Sequence, residues 1–134
     1  MSAGGAALAA AAEALVGTPF RLHGRDEWGL DCVGLVIAAL KATGCEPEAL
    51  ADYQLRQRDI RPWLGCIAQL GLQVATGPIA PGDVLLVRPG AAQHHLLVAS
   101  RSGGFVHAHA GLRRVVHSPA PLTWPVLRHW RPMD

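Results

Sequence analysis

The stretch "DVLLVRPGAAQHHLLVASRSGGFVHAHAGLRRVVHS", from Asp83 to Ser118, decides the fold of this chain. It contains four short runs, "DVLLVR", "HLLVAS", "GFVHAHA" and "RRVVHS", each apolar or β-branched and separated by Gly, Pro or Ser. Runs of that length and composition read as strands, and their close succession makes them antiparallel neighbours. Downstream, "WPVLRHWRP" supplies a last edge strand, because Pro125 and Pro132 restrict where it can pair.

Upstream of "GPIAPGD" the pattern is helical. Ala is the best helix former, so "MSAGGAALAAAAEALVG" predicts an amphipathic helix from about Ala3 to Val16, ended by Gly17, Thr18 and Pro19. The same opening resembles a signal peptide, but it lacks a basic start and Glu13 interrupts its apolar run, so no Sec-type export signal is expected. From Cys32 to Ala42 the apolar positions are nearly continuous, as in a buried helix stopped at Gly44. The segment "CEPEALADYQLRQRDIRP" is polar and irregular. After it, Pro62 opens a short helix, "PWLGCIAQLG", that closes at Gly71. Helices first and strands later is the order of an α+β domain, and no repeat, linker or boundary divides residues 1–134.

The totals exclude several classes. With 134 residues, 50% of them apolar and 16% charged, the chain can bury a core without staples. A formal charge of +2 with scattered Arg residues offers no nucleic-acid footprint. No apolar run reaches the roughly 18 residues needed to span a bilayer. The three cysteines, Cys32, Cys45 and Cys66, form no CxxC, which argues against a zinc ribbon or redox motif. A Cys45–Cys66 disulfide remains open beside the commoner state of buried thiols.

Cys32 stands at the threshold of the apolar helix, just after Asp31, in "GLDCVGLVIAAL". A helix N-terminus stabilises an anion and lowers a thiol pKa, yet a Cys in an apolar helix is ordinarily just a small hydrophobe. The histidines reverse that reading. Five of the seven are His94, His95, His107, His109 and His117, all within the strand-rich half. A thiol nucleophile needs an imidazole to take its proton, and that imidazole needs a third group to hold its tautomer. His95 opens one strand and His107 lies within the next, so neighbouring strands can bring them together on one face. By alternation His107 and His109 share a face, while His94 and His95 point oppositely. His23, His117 and His129 read as structural. A zinc site of His95, His107 and His109 is permitted by the alternation but lacks any HExxH-like signature, so neither metal nor cofactor is expected.

Taken together, "GTPFRLHG", "GLDCVGLV", "PGDVLLV", "HLLVASRSGGFVHA" and "RHWRP" resemble the NlpC-type cysteine peptidases, papain-like hydrolases of bacterial cell-wall peptides. The resemblance runs from about Ala10 to Pro132. Within the family it points to the compact form encoded among phage and gene-transfer-agent tail genes. It implies an α+β fold with the nucleophile helix packed on an antiparallel sheet. It also implies a Cys-His-His triad: Cys32 as nucleophile, His95 as general base and His107 as the residue that orients the base. His94 is then a neighbour. Asp31 matches the structural or substrate-contacting acid, and Gly82 and Asp83 match the turn into the first strand. Phe20, Arg21, Arg25 and Trp28 border the implied substrate and oxyanion region.

Two positions depart from the family pattern. Phe20 stands where many members carry a Tyr whose hydroxyl assists the oxyanion site; losing one such donor costs about 100-fold or more in other systems. Val33 follows the Cys where many members have Ser. The implied substrates are peptidoglycan stem peptides, cut between D-glutamate (through its γ-carboxyl) and a diamino acid. Phage or gene-transfer-agent tail proteins are the implied partners, with delivery to the cell wall by a particle or by release on lysis.

Overall fold

The fold is described from a computed structural model covering residues 4–22, 24–26, 28–44, 70–91 and 93–133, with Arg25 described by its backbone alone. The expected helix after Pro62, the polar middle segment, Cys45, Cys66 and His23 lie outside the described residues.

Helix α1 spans Gly4–Glu13, followed by the short strands β1 (Arg25–Asp26) and β2 (Gly29–Leu30) and by helix α2 (Cys32–Ala42). Strands β3 (Leu72–Val74), β4 (Val84–Val87), β5 (His95–Ala99), β6 (Phe105–His109), β7 (Arg114–Ser118) and β8 (Val126–Pro132) form one sheet, ordered β3-β8-β4-β5-β6-β7. Every pairing within it is antiparallel. This is the α+β architecture expected, with the four central runs in place as β4 to β7.

Several details differ from the expectation, beginning with the short strands β1 and β2 in what reads as a loop before Cys32. Helix α1 stops at Glu13, because Leu15 and Val16 donate to Ala12 and Glu13, three residues back, and this tightening ends the α-helical ladder. Strand β8 is an inner strand, with β4 on one side and β3 on the other. Its Pro132 falls at the last position, opposite Leu72, so the missing N–H interrupts no ladder. Strand β3 was not foreseen; a three-residue run with one buried side chain carries no readable alternation.

Alternation along the strands divides the core in two. On one face Leu86, Leu96, Val98 and Val106 pack with Leu8 of α1 and Leu35, Val36 and Ile37 of α2. On the other, Leu85, Val87, Leu97, Ala99 and Phe105 lie beneath Leu122 and Trp124 of the loop before β8.

The turn into β4 is held by Asp83, whose side chain is 0% exposed. Its carboxylate accepts from Ala80 N at 2.8 Å, from Arg131 Nε at 2.8 Å and Nη2 at 2.9 Å, and pairs with His129 Nε2 at 2.5 Å. Burial raises its pKa, but the Arg131, Ala80 and His129 hydrogen bonds outweigh that effect and hold it below the usual carboxylate range. The structural role expected of His129 is met here. His117 is likewise hydrogen-bonded, with Nε2 at 2.9 Å from Ser100 Oγ. Gly82 adopts φ +83, and a Cβ there would lie 2.0 Å from Gly5 O, so this turn admits only glycine.

Candidate active site

Helix α2 begins where Asp31 caps it. Asp31 has extended backbone angles, and its Oδ1 accepts from Gly34 N at 2.8 Å. The cap satisfies one of the first-turn donors, and Asp31 is 7% exposed. Of the two roles open to Asp31, the observed bond supplies the structural one. Gly34 completes the arrangement, since a Cβ there would lie 2.1 Å from Gly24 O. Only glycine lets the first turn of α2 press against the loop that precedes β1. Cys32 is thereby held as the first residue of α2, half-buried against the helix-side core. The helix packs on β5 and β6, the strands that carry the histidines.

His95 and His107 meet directly. His95 Nε2 lies 3.0 Å from His107 Nδ1, with the rings edge-on at 5.1 Å between centroids. The other ring nitrogen of His107, Nε2, lies 2.8 Å from Ser118 Oγ. Trp124 stands edge-on to both imidazoles at 5.9 Å. His107 and His109 share a face as expected, with ring centroids 5.7 Å apart, and His109 Nδ1 accepts from Leu112 N at 3.0 Å. A cavity of about 150 Å³ opens beside His107 and Ser118, walled by Leu97, Phe105, Leu122 and Trp124.

These imidazoles are neutral at physiological pH. Burial, aided by the neighbouring His107 and His109, pushes His95 down to about 3. Burial and then His109 push His107 down to about 4. A neutral imidazole carries one N–H and one acceptor nitrogen, so the His95–His107 contact is a directed hydrogen bond. Because the two nitrogens face each other at 3.0 Å, they are spent on that bond rather than aimed at a shared ion. Among the described residues, no group of three or more His, Cys, Asp or Glu is arranged to hold a metal.

The remaining candidates lie around the β1–β2 hairpin. Phe20 is partly buried against the helix-side core, and its backbone donates to Arg113 O at 2.9 Å. Arg21 is exposed, and Trp28 is 73% exposed. His94 lies outside the imidazole cluster, with a buried Nδ1 that makes no hydrogen bond. Two members of the cluster escaped sequence reading. Ser118 joins because it sits two positions along β7 from Val116, which pairs with His107. Such diagonal neighbours share a face, so the signal existed once register was known. Trp124 arrives on a Pro-rich loop that carries no periodicity.

A profile of the NlpC/P60 family matches residues 17–125. The chain belongs to the NlpC/P60 family. This is a family of cell-wall hydrolases. Over 108 residues the chain is 28% identical to Protein P54 of Enterococcus faecium, covering 80% of this chain and 18% of that protein. Its fold matches NlpC1 from Trichomonas vaginalis with a TM-score of 0.68 at 21% identity, covering 97% of this chain and 46% of the other. It matches the NlpC/p60 domain of the peptidoglycan hydrolase SagA with a TM-score of 0.55 at 23% identity, covering 97% and 98% of the two chains. The chain therefore spans less than half the length of NlpC1 and about a fifth of Protein P54.

Proposed function

We propose that this chain is a cysteine endopeptidase of cell-wall stem peptides, with Cys32 as nucleophile, His95 as general base and His107 as the group that orients the base. The observation that carries this reading is the His95 Nε2–His107 Nδ1 hydrogen bond of 3.0 Å. It commits one nitrogen of His95 and leaves Nδ1 to take the thiol proton, as a nucleophile–base–orienter constellation requires. His95 is the first residue of β5 and Cys32 the first of α2. The proposal requires these two residues to meet at the rim of the sheet where β5 begins.

In this mechanism the Cys32 Sγ proton passes to His95 Nδ1, and the thiolate adds to the scissile carbonyl carbon. Backbone N–H groups, including that of Cys32, hold the oxyanion. The tetrahedral intermediate collapses to a thioester as His95 returns its proton to the leaving amine. Water, deprotonated by His95, then releases the acid product and restores the thiol. The chemistry of the family resemblance supports a D-γ-glutamyl–diamino acid bond as the target. It likewise supports a role in a phage or gene-transfer-agent tail that carries the enzyme from the cytoplasm to the cell wall. Arg21, exposed beside the hairpin, suits a substrate carboxylate.

Phe20 favours a second reading, a domain that binds stem peptides without cutting them, because its ring offers no oxyanion donor. Purified stem peptides incubated with wild type and Cys32→Ala, with fragments read by mass spectrometry, separate the two. Cleavage by wild type alone is expected. Intact peptide with wild type overturns the peptidase reading, and cleavage retained by the alanine variant removes Cys32 from its role.

A further inference from the structure

We propose that Ser118 is a positioning residue of this site: its hydroxyl accepts a hydrogen bond from His107 Nε2–H and so fixes the tautomer through which His107 orients His95. The inference rests on the peptidase reading above and extends the line of directed contacts by one member, from His95 through His107 to Ser118.

Only one proton pattern lets His95 act as a base. Its Nδ1 must be unprotonated, so its single proton lies on Nε2 and points at His107 Nδ1, 3.0 Å away. His107 Nδ1 is then an acceptor, which places the only proton of a neutral His107 on Nε2. That atom lies 2.8 Å from Ser118 Oγ, and His107 is 2% exposed. The reversed pattern satisfies the same contacts: Ser118 donates to His107 Nε2, His107 Nδ1–H donates to His95 Nε2, and His95 is left protonated on Nδ1. That arrangement cannot accept the thiol proton. A buried donor without an acceptor is unfavourable. Deleting the Ser118 hydroxyl therefore disfavours the productive tautomer and moves the pair toward the reversed one.

Ser118 reaches this position through strand register. It pairs with Phe105 while Val116 pairs with His107, so both β7 side chains stand on the imidazole face, with Ser118 diagonal to His107. Trp124 closes the same side. Ser118 meets the site through its contact with His107.

Histidine side-chain ¹⁵N NMR on the full chain, together with peptide hydrolysis, tests this. Wild type is expected to hold His107 as the Nε2–H tautomer. Ser118→Ala is expected to lose that preference and to lower kcat about three- to ten-fold with KM unchanged, the range set by one neutral hydrogen bond. Ser118→Thr, which keeps the hydroxyl, is expected to restore both. An Nδ1–H tautomer at His107 in wild type overturns the proposal, as does an alanine variant with unchanged tautomer and kcat. The wild-type tautomer decides the point even if Ser118→Ala does not fold. It also decides it if no peptide is cleaved, so failure of the peptidase reading remains distinguishable.

Discussion

Acidification from pH 8 to pH 5 is predicted to destabilise this protein through the very pair that forms the candidate site. An unfolded histidine titrates near 6.5, whereas in the fold His95 is held at about 3 and His107 at about 4. Below 6.5 the unfolded chain therefore binds protons that the folded chain refuses. Stability is complete above that value and falls as the pH drops, until the folded imidazoles themselves take up protons near 4 and 3. At pH 5 the unfolded state is favoured by about 1.5 pH units at about 1.36 kcal/mol each, or about 2 kcal/mol per imidazole. Both together give about 4 kcal/mol, a large part of a total stability of about 5–15 kcal/mol. The window stays above the carboxylate range, so Asp83, whose pKa is lowered, contributes little to it. Urea unfolding at the two pH values reads the effect, with His95→Gln as comparator. The shift at His107 comes from burial and from His109, so it survives that substitution. The variant is expected to lose about 2 kcal/mol less than wild type between pH 8 and pH 5. Equal losses in the two proteins would refute the burial of a neutral His95.

Two further outcomes follow from named contacts. Asp83→Asn removes the charge that Arg131 and His129 share at a fully buried carboxylate, and should lower unfolding stability by about 2–3 kcal/mol, Arg131 being able to turn partly to water. A change below about 1 kcal/mol in a urea titration would show that the turn into β4 does not depend on this cluster. Phe20→Tyr adds a hydroxyl at the edge of the proposed oxyanion region. Steady-state hydrolysis of a stem peptide is expected to show a higher kcat, by up to about 100-fold, with an unchanged rate arguing that backbone donors suffice.

Much of this could be read from residue order. The run from Cys32 to Ala42 became α2 with those bounds, and "HLLVAS" and "GFVHAHA" became adjacent strands that bring His95 to His107. Those elements were legible because each carries its own period and its own stop. Strand β3 carries neither; it forms because Trp130, Arg131 and Pro132 offer a partner edge, a fact stored far along the chain from it. The misplacement of β8 at the edge has the same origin. Proline rules say where a strand cannot donate, not which neighbour arrives to cover it.

The site itself divides along the same line. Asp31, Cys32 and Gly34 are a local device: a cap, a first-turn residue and a glycine that admits the backbone at Gly24. His95 and His107 are a two-strand device: alternation allows one of the adjacent histidines to meet His107, and the family resemblance pointed to His95. Ser118 requires one step more, the register of β6 on β7, which is set by the turn between them. There Arg113 takes φ 60 and its carbonyl accepts from Phe20 N. The segment leading to β1 is thereby tied to the hairpin that aligns Ser118 with His107. The loop bearing Phe20 and the register that supplies Ser118 are therefore not independent. A substitution that loosens the Arg113 turn should disturb both the proposed orienting contact and the rim at Phe20, although it touches neither Cys32 nor His95.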